Sequence, residues 1–411
     1  MLFSFSRGSG GVPTATITIW GDIPVEYFNN LVNSAGLTND HTLVLNYSYK
    51  NPETFDADFT EALAVGGGPD LIFITQDKLI KEKNKITVIP YANFSQKDFS
   101  STFVDEADLF LGTNGIYALP LSIDPLVLYY NKDLLSKSAF VAPPVYWDEI
   151  YKYAEKLTTK DPAGNIIKSV LALGEAKNIP NSKDILSLLM LQAGTPIADY
   201  PSGQNSPRLQ SELSNNFGLT LTPANAALDF YTQFANPAKP FYSWNRSLRS
   251  AQTNFASGDS ALYIGYASEL PILKAKSPTL NISVSPVPQS RVSGKTLTFG
   301  LIRGVAISKG SKNPSASLRA ILALVSSNTS LTLSKILQIP PARRDLLSNK
   351  PTDTIGNVFY NSAIQSHGWY DPDDKATSII FTNMIEAVTS GRARIDEALM
   401  SAEDQINALI K

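Results

Sequence analysis

One stretch limits the folds open to this chain: "GIYALPLSIDPLVLYYNKDLL", residues Gly115–Leu135. Two apolar runs flank Asp124 and Pro125, and both read as buried strand. A proline nitrogen cannot donate to a strand ladder, so Pro125 marks a point where pairing changes. Asp124 lies at that point. A carboxylate placed among buried strands needs partners, or its desolvation is costly. The stretch therefore reads as buried strand with a carboxylate in its middle.

The rest of the chain supplies elements of both kinds. "ATITIW" (Ala15–Trp20) alternates as a strand, and a helix is predicted from about Pro24 to Ser34. "TLVLNYSY" (Thr42–Tyr49) is a second strand, followed by a helix from about Pro52 to Val65. "GGGPDLIFIT" is a turn feeding a third, wholly apolar strand. It lacks the Gly-Lys-Ser/Thr of a phosphate loop, and a strand stands where that helix should begin. Alternating strands and helices point to an α/β fold with a mainly parallel sheet, whose ligands bind beyond the carboxyl ends of the strands. From about Pro144 the texture turns helical. "PPVYWDEIYKYAEKLT" and "SKDILSLLMLQAG" are amphipathic, the latter with Gly194 as a C-cap. Ser202–Phe217 reads as an exposed loop, and the last helices cover about 377–390 and 395–411.

Composition narrows the chemistry. Among 411 residues there is no cysteine, and His41 and His367 are the only histidines. Thiolate metal sites, disulfides and cysteine nucleophiles are excluded, a histidine-based metal centre is not expected, and neither is a cofactor. The net charge of −2, without a basic run, argues against nucleic acid as a partner. No stretch of 18 apolar residues spans a membrane. The stub "MLFSFSRGSGGVPTA" reads either as a disordered tail or as the remnant of an anchor ahead of a linker, with residues 1–14 serving as a membrane tether.

Taken in order, "TITIWGD", "GGGPDLIFITQD", the Gly115–Leu135 stretch, "PPVYWDEIYKYAEKLT", "FASGDSALYIGYASEL", "FGLIRGVAISKGSKN", "PPARRDLL" and "SGRARIDEAL" resemble the extracellular solute-binding proteins of ATP-driven (ABC) importers. The branch is that of the maltose and oligosaccharide binders, and the resemblance covers Thr16 to Lys411. It implies two α/β lobes joined by a hinge, closing over a ligand in the cleft between them. The limits it suggests are 15–123 plus about 287–330 for one lobe, and 124–286 plus about 331–411 for the other. It implies a monomer outside the cytoplasm, with a small solute, first of all a sugar, and ABC permease subunits as partners.

The same resemblance picks out candidate ligand contacts, each with a structural alternative. Asp124 sits at the cleft floor, or caps a local turn. Trp20 and Asp22 follow the first strand; the alternatives are core packing and a helix N-cap. Gln76 and Asp77 follow the third strand, where Asp77 binds hydroxyls or caps a helix. Tyr266 and Ser268 follow "SALYIG", where relatives carry a stacking tryptophan; Tyr266 stacks on a sugar or joins the core. Arg303 meets an anionic ligand group, pairs with Asp124 or Asp77 from the opposite lobe, or is simply exposed to solvent. Trp369 or Tyr370 closes over the cleft. Trp244 is core or cleft rim. Asp371, Asp373 and Asp374 lack the spacing of a calcium loop and read as a helix-start turn.

The function this supports is capture and delivery of a solute, without chemistry. A glycosidase is the alternative from another class. It requires two carboxyls about 5–5.5 or 6.5–9.5 Å apart, for which only Asp124 and Asp77 are candidates. A sensory or adhesive ectodomain on the same fold is the third reading.

Overall fold

The structure, a computed structural model, describes residues 14–200, 208–292 and 294–410. The N-terminal stub through residue 13 and residues 202–207 of the expected Ser202–Phe217 loop thus lie outside the described residues. Three βα units open the chain: β1 (Ala15–Gly21), α1 (Val25–Ser34), β2 (Leu43–Tyr49), α2 (Phe55–Ala64), β3 (Leu71–Thr75) and α3 (Gln76–Glu82). β1 lies between β2 and β3, parallel to both. The turn before β3 holds Gly66 at φ 73° and Gly68 at φ 119°, conformations that strongly favour glycine.

The long strand β4 (Leu119–Asn131) carries the Asp124-Pro125 step without a break. Its first half, from Leu119 to Pro125, pairs with β7 (Thr298–Ser308), and its second half pairs with β5 (Leu262–Tyr266) and β6 (Ile282–Ser285). β7 continues onto β3 through residues 303–307. The order along the sheet is β5-β4-β7-β3-β1-β2. The expectation of a mainly parallel sheet holds for β1–β3 only. β4 and β7 run through the waist in opposite directions, so every pairing they make with the strands named here is antiparallel.

Two separate apolar cores divide the molecule into lobes. The first gathers Ile17, Ile19, Leu71–Ile74, Leu119, Leu121 and Ile123 with Ile302, Val305 and Ile307. The second gathers Leu126–Tyr129, Leu262, Ile264, Val284, Leu297 and Phe299 with the helix α4 (Ser182–Ala193) and α5 (Asp374–Thr389). Along β4 the core changes between Ile123 and Leu126; along β7 it changes between Phe299 and Ile302. These two points are paired side by side, Leu301 with Asp124 and Gly300 with Pro125. A third passage runs through the helix Thr354–Ile364, with Phe359 in the second core and Ala363 in the first. The limits expected near 287 and 331 therefore lie too early. Val287 and Leu297 pack in the second core, and Leu333, Ala342 and Leu347 in the first, because each returning segment stays with its own sheet until the strand or helix crosses.

The passages meet tightly. A Cβ on Gly300 would stand 2.7 Å from Ser366 Oγ and 2.8 Å from Glu106 Oε2, so only glycine fits there. Glu106 is 3% exposed, and neither carboxyl oxygen has a hydrogen-bond partner. Burial pushes its pKa well above the ordinary range, which keeps it neutral.

Elsewhere the packing corrects several expectations. Trp244 is fully buried and donates to Asn178 Oδ1 (3.0 Å), so it is core rather than cleft rim. The stretch read as an exposed loop contains a paired strand, Gln210–Ser211, with Leu209 and Leu213 buried. Gly194 does cap its helix, at φ 101°. Among the described residues no single helix is long and apolar enough to cross a membrane.

Candidate functional site

A cavity of about 440 Å³ opens between the lobes. Pro52, Glu53, Asp77 and Lys78 line it from the first lobe; Lys183, Asp184 and Asp374 face them from the second; Leu301 of β7 forms the base. The elements aim these groups for simple reasons. β3 ends at Thr75 and α3 starts at once, so Asp77 in its first turn stands over the strand's carboxyl end. Lys183 and Asp184 occupy the first turn of α4, whose following residues are buried almost without a gap. Among the described residues, no aromatic side chain lines the cavity. A second, small cavity of about 40 Å³ shares Pro52 and Lys78 with it and is walled by Asp22, Lys50 and Arg303.

The candidates separate into those the structure brings to this cleft and those it uses elsewhere. Asp77 lines the cavity and accepts a hydrogen bond from the Thr75 hydroxyl. Asp124 lies at the waist. Its Oδ1 accepts from the Ser268 amide at 3.0 Å, which places both residues at the junction of β4 with the turn after β5. Asp22 does not cap α1; it pairs with Arg303 at 2.6 Å. Arg303 thus meets a carboxylate of its own lobe rather than Asp124 or Asp77, because it lies opposite Thr75 at the carboxyl end of β3, level with the end of β1 that Asp22 follows.

Four expectations change outright. Trp20 is half-buried against the first core, with Lys50 Nζ over its ring 3.8 Å from the centre and Phe59 in an edge contact at 6.5 Å. Gln76 is 2% exposed and spends both ends of its amide on β7, donating to Gly300 O (2.8 Å) and accepting from Ile302 N (2.8 Å). It cannot also serve a ligand. Trp369 is 4% exposed and stacks near Phe381 in the second core, so it does not close over the cleft. Tyr266 buries its ring in the same core, and its hydroxyl is also buried, near the Asp184 carboxylate but without a hydrogen-bond partner. The aspartate trio is the expected helix start: Asp373 caps α5, accepting from Lys375 N and Ala376 N. Asp371 accepts from Lys183 Nζ at 2.7 Å.

Lys183 and Asp184 were not among the sequence candidates. A lysine and an aspartate opening an apolar helix look like ordinary surface residues, and only the facing lobe makes them cleft residues. Lys183 sits at a helix N-terminus, where the dipole disfavours a cation. Its tertiary partners prevail: besides Asp371 it donates to Asp374 O (3.3 Å) and Thr377 Oγ1 (3.2 Å). Burial pushes the Asp184 carboxyl up, opposed by Lys183 and the Tyr266 hydroxyl.

Burial also raises Asp124, to about 6, with the Ser268 hydrogen bonds and the Arg303 charge pulling the other way. The folded state then holds this proton more tightly than the unfolded chain, where a carboxyl titrates near about 3.9. The sign follows: stability is greater at low pH and falls as pH rises from about 4 to about 6, by about 2–3 kcal/mol for this group. Asp371, also raised to about 6 by burial against Lys183, adds to the same slope. Urea unfolding of Asp124→Asn across this range should show a flatter dependence than the parent. An identical slope in both proteins contradicts the buried Asp124 environment.

Two lobes, paired crossing strands and a polar cavity at their waist define a protein that encloses a small molecule by closing on it. Residues 38–329 match the sequence profile of the bacterial extracellular solute-binding proteins, and the chain belongs to that family. It is a binding protein, not an enzyme. Over shorter stretches it is similar to a Deinococcus radiodurans protein described as an ABC transporter-binding protein, 34% identical over 28% of each chain. It is likewise similar to a Brucella abortus binding protein, 26% identical over 37% of each chain. Each match spans well under half the relative's length. Solved structures share the fold along the whole chain. A cyclo/maltodextrin-binding protein complexed with maltotetraose superposes with a TM-score of 0.78 at 19% identity, covering 98% of both chains. The cyclic α-maltosyl-1,6-maltose binding protein of Arthrobacter globiformis gives 0.76 at 16% identity, covering 96% of this chain and 99% of its own. A mannotriose-bound protein gives 0.71 at 20%, covering 96% and 100%.

Proposed function

We propose that this protein captures an oligosaccharide outside the cytoplasm and passes it to the permease of an ABC importer. The single observation that carries the reading is the interlobe cavity, with Asp77 of one lobe and Asp184 of the other as hydroxyl acceptors. Structural neighbours with bound maltotetraose and mannotriose support the sugar class. Asp124, Ser268 and the Asp22–Arg303 pair form the surrounding polar wall in this reading. The protein acts as a monomer, and its N-terminal residues serve as the tether to the membrane.

The described cavity lining is carboxylates, lysines and small or aliphatic residues, without an aromatic platform among the described residues. Hydrogen bonds to carboxylates, rather than stacking, provide the recognition. A thermal-shift screen with maltotetraose, mannotriose, amino acids and nucleosides tests the class. A sugar present at about 100 times its Kd stabilises by about 2.7 kcal/mol through mass action. Asp77→Ala and Asp184→Ala should each remove most of that shift while leaving the melting point of the free protein within a few degrees. A screen in which no sugar moves the melting point ends the sugar reading.

A further inference from the structure

The lobes are joined across the rim of the cleft by charged groups, of which Lys81, Asp56 and Asp373 stand outside the cavity lining. Lys81 on α3 of the first lobe reaches Asp373 at the start of α5 in the second, at 3.0 Å. The same ammonium holds Asp56 of α2 at 2.9 Å. Lys78, one turn earlier, spans the same gap, 3.6 Å from Asp56 and 3.7 Å from Asp374. Lys375 completes the set by donating to Glu53 O at 2.6 Å.

These are not ordinary surface pairs. The Asp56, Lys78 and Asp374 side chains are 13%, 15% and 17% exposed. Oδ1 of Asp56 and Oδ1 of Asp374 are buried without any hydrogen bond, so the lysines alone compensate their charge there. Exposed ion pairs contribute little, but a carboxylate buried beside a single cation is costly once that cation leaves. Opening the cleft separates Lys81 from Asp373 and Lys78 from Asp374, and lets water reach the carboxylates in their place.

We propose that Lys81 and Asp373 are positioning residues for ligand binding: they form an interlobe clasp that sets the closed population, and hence the affinity, without touching the ligand. A protein whose binding-competent form is only partly populated binds more weakly by that fraction. The clasp is ionic, and screening shortens from about 10 Å at 0.1 M salt to about 3 Å at 1 M. Closure therefore weakens with salt even when the ligand is uncharged. Only the affinity readout rests on the sugar reading; the closure readout does not.

The test uses the absence of cysteine in the chain. Nitroxide labels on Val65→Cys and Ile379→Cys, 78% and 62% exposed, report the distance between lobes in the full chain without ligand. At low salt one short distance is expected. A longer population should appear in 1 M NaCl, and at low salt in Lys81→Gln, while Lys81→Arg keeps the short distance. Maltotriose affinity at low salt should fall about 5-fold in Lys81→Gln and recover in Lys81→Arg. Distances in Lys81→Gln identical to the parent at both salts overturn the clasp, as do altered distances with unaltered affinity. If maltotriose binds no variant and not the parent, the sugar reading fails and the distances alone decide the clasp.

Discussion

Lys183→Ala is expected to lose about 3–5 kcal/mol of folding stability, the cost of leaving a buried partner charge uncompensated. The pair is enclosed, with side-chain exposures of 12% for Lys183 and 1% for Asp371. Asp371 keeps its Thr377 hydroxyl contacts at 2.9 Å and the Asp373 amide at 3.1 Å, but these do not neutralise it. Burial already raises Asp371 to about 6 with the lysine present. Without the lysine its pKa rises further, so the carboxyl becomes neutral at pH 5 and the loss there is smaller than at pH 8. Pairing Lys183→Met with Asp371→Leu should restore most of the stability, since both charges then leave together. Urea unfolding of the three proteins at the two pH values checks the set. A loss below about 1 kcal/mol in Lys183→Ala at pH 8 means the pair is not buried as described.

Gln76→Leu is the second large effect. β3 ends at Thr75, which pairs with Arg303, so β7 has no strand neighbour on that side from residue 302 back to 300. The Gln76 amide takes the place of the missing strand by bonding Gly300 O and Ile302 N. Leucine fits the space but leaves a buried carbonyl and a buried N–H unpaired, at about 1–3 kcal/mol each. Gln76→Glu keeps an acceptor for Ile302 N but, when ionised, buries a carboxylate against Gly300 O, so it should cost at least as much at pH 8 and less at pH 5, where the protonated acid again donates to Gly300 O. The same bonds hold β7 where it passes between lobes. Gln76→Leu should therefore also broaden the solution-scattering dimensions of the ligand-free protein. Unfolding free energies within about 0.5 kcal/mol of the parent rule out this role.

Much of the fold was readable from patterns of short range. The alternation of Ala15–Trp20, the apolar run Leu71–Thr75 and the amphipathic helices each declare their own element, since burial on one face imposes a period of two or 3.6. The proline after Asp124 marked a change of pairing, and the change of core falls beside it. The site was readable only in part. Asp77 is placed by its position at a strand end, which is a local fact. Trp20 is covered by Lys50, thirty positions on, through the parallel pairing of β1 with β2. Arg303 faces Asp22 because the middle of one strand is laid beside the ends of two others far away in the chain. Trp369 turns inward because Phe381 of α5 lies behind it.

The order of residues determined where strands and helices form, that a carboxylate and a proline sit within the longest buried strand, and that thiol chemistry is absent, because these depend on side-chain period, backbone restriction and composition. The tertiary structure decided which polar groups remain for a guest. Gln76 is consumed by a strand that lacks a neighbour, whereas Asp184 is freed by facing an opposite lobe. A polar side chain is available to a ligand only if no backbone or charged group nearer in space has already satisfied it, and nearness in space is set by the packing of segments hundreds of residues apart.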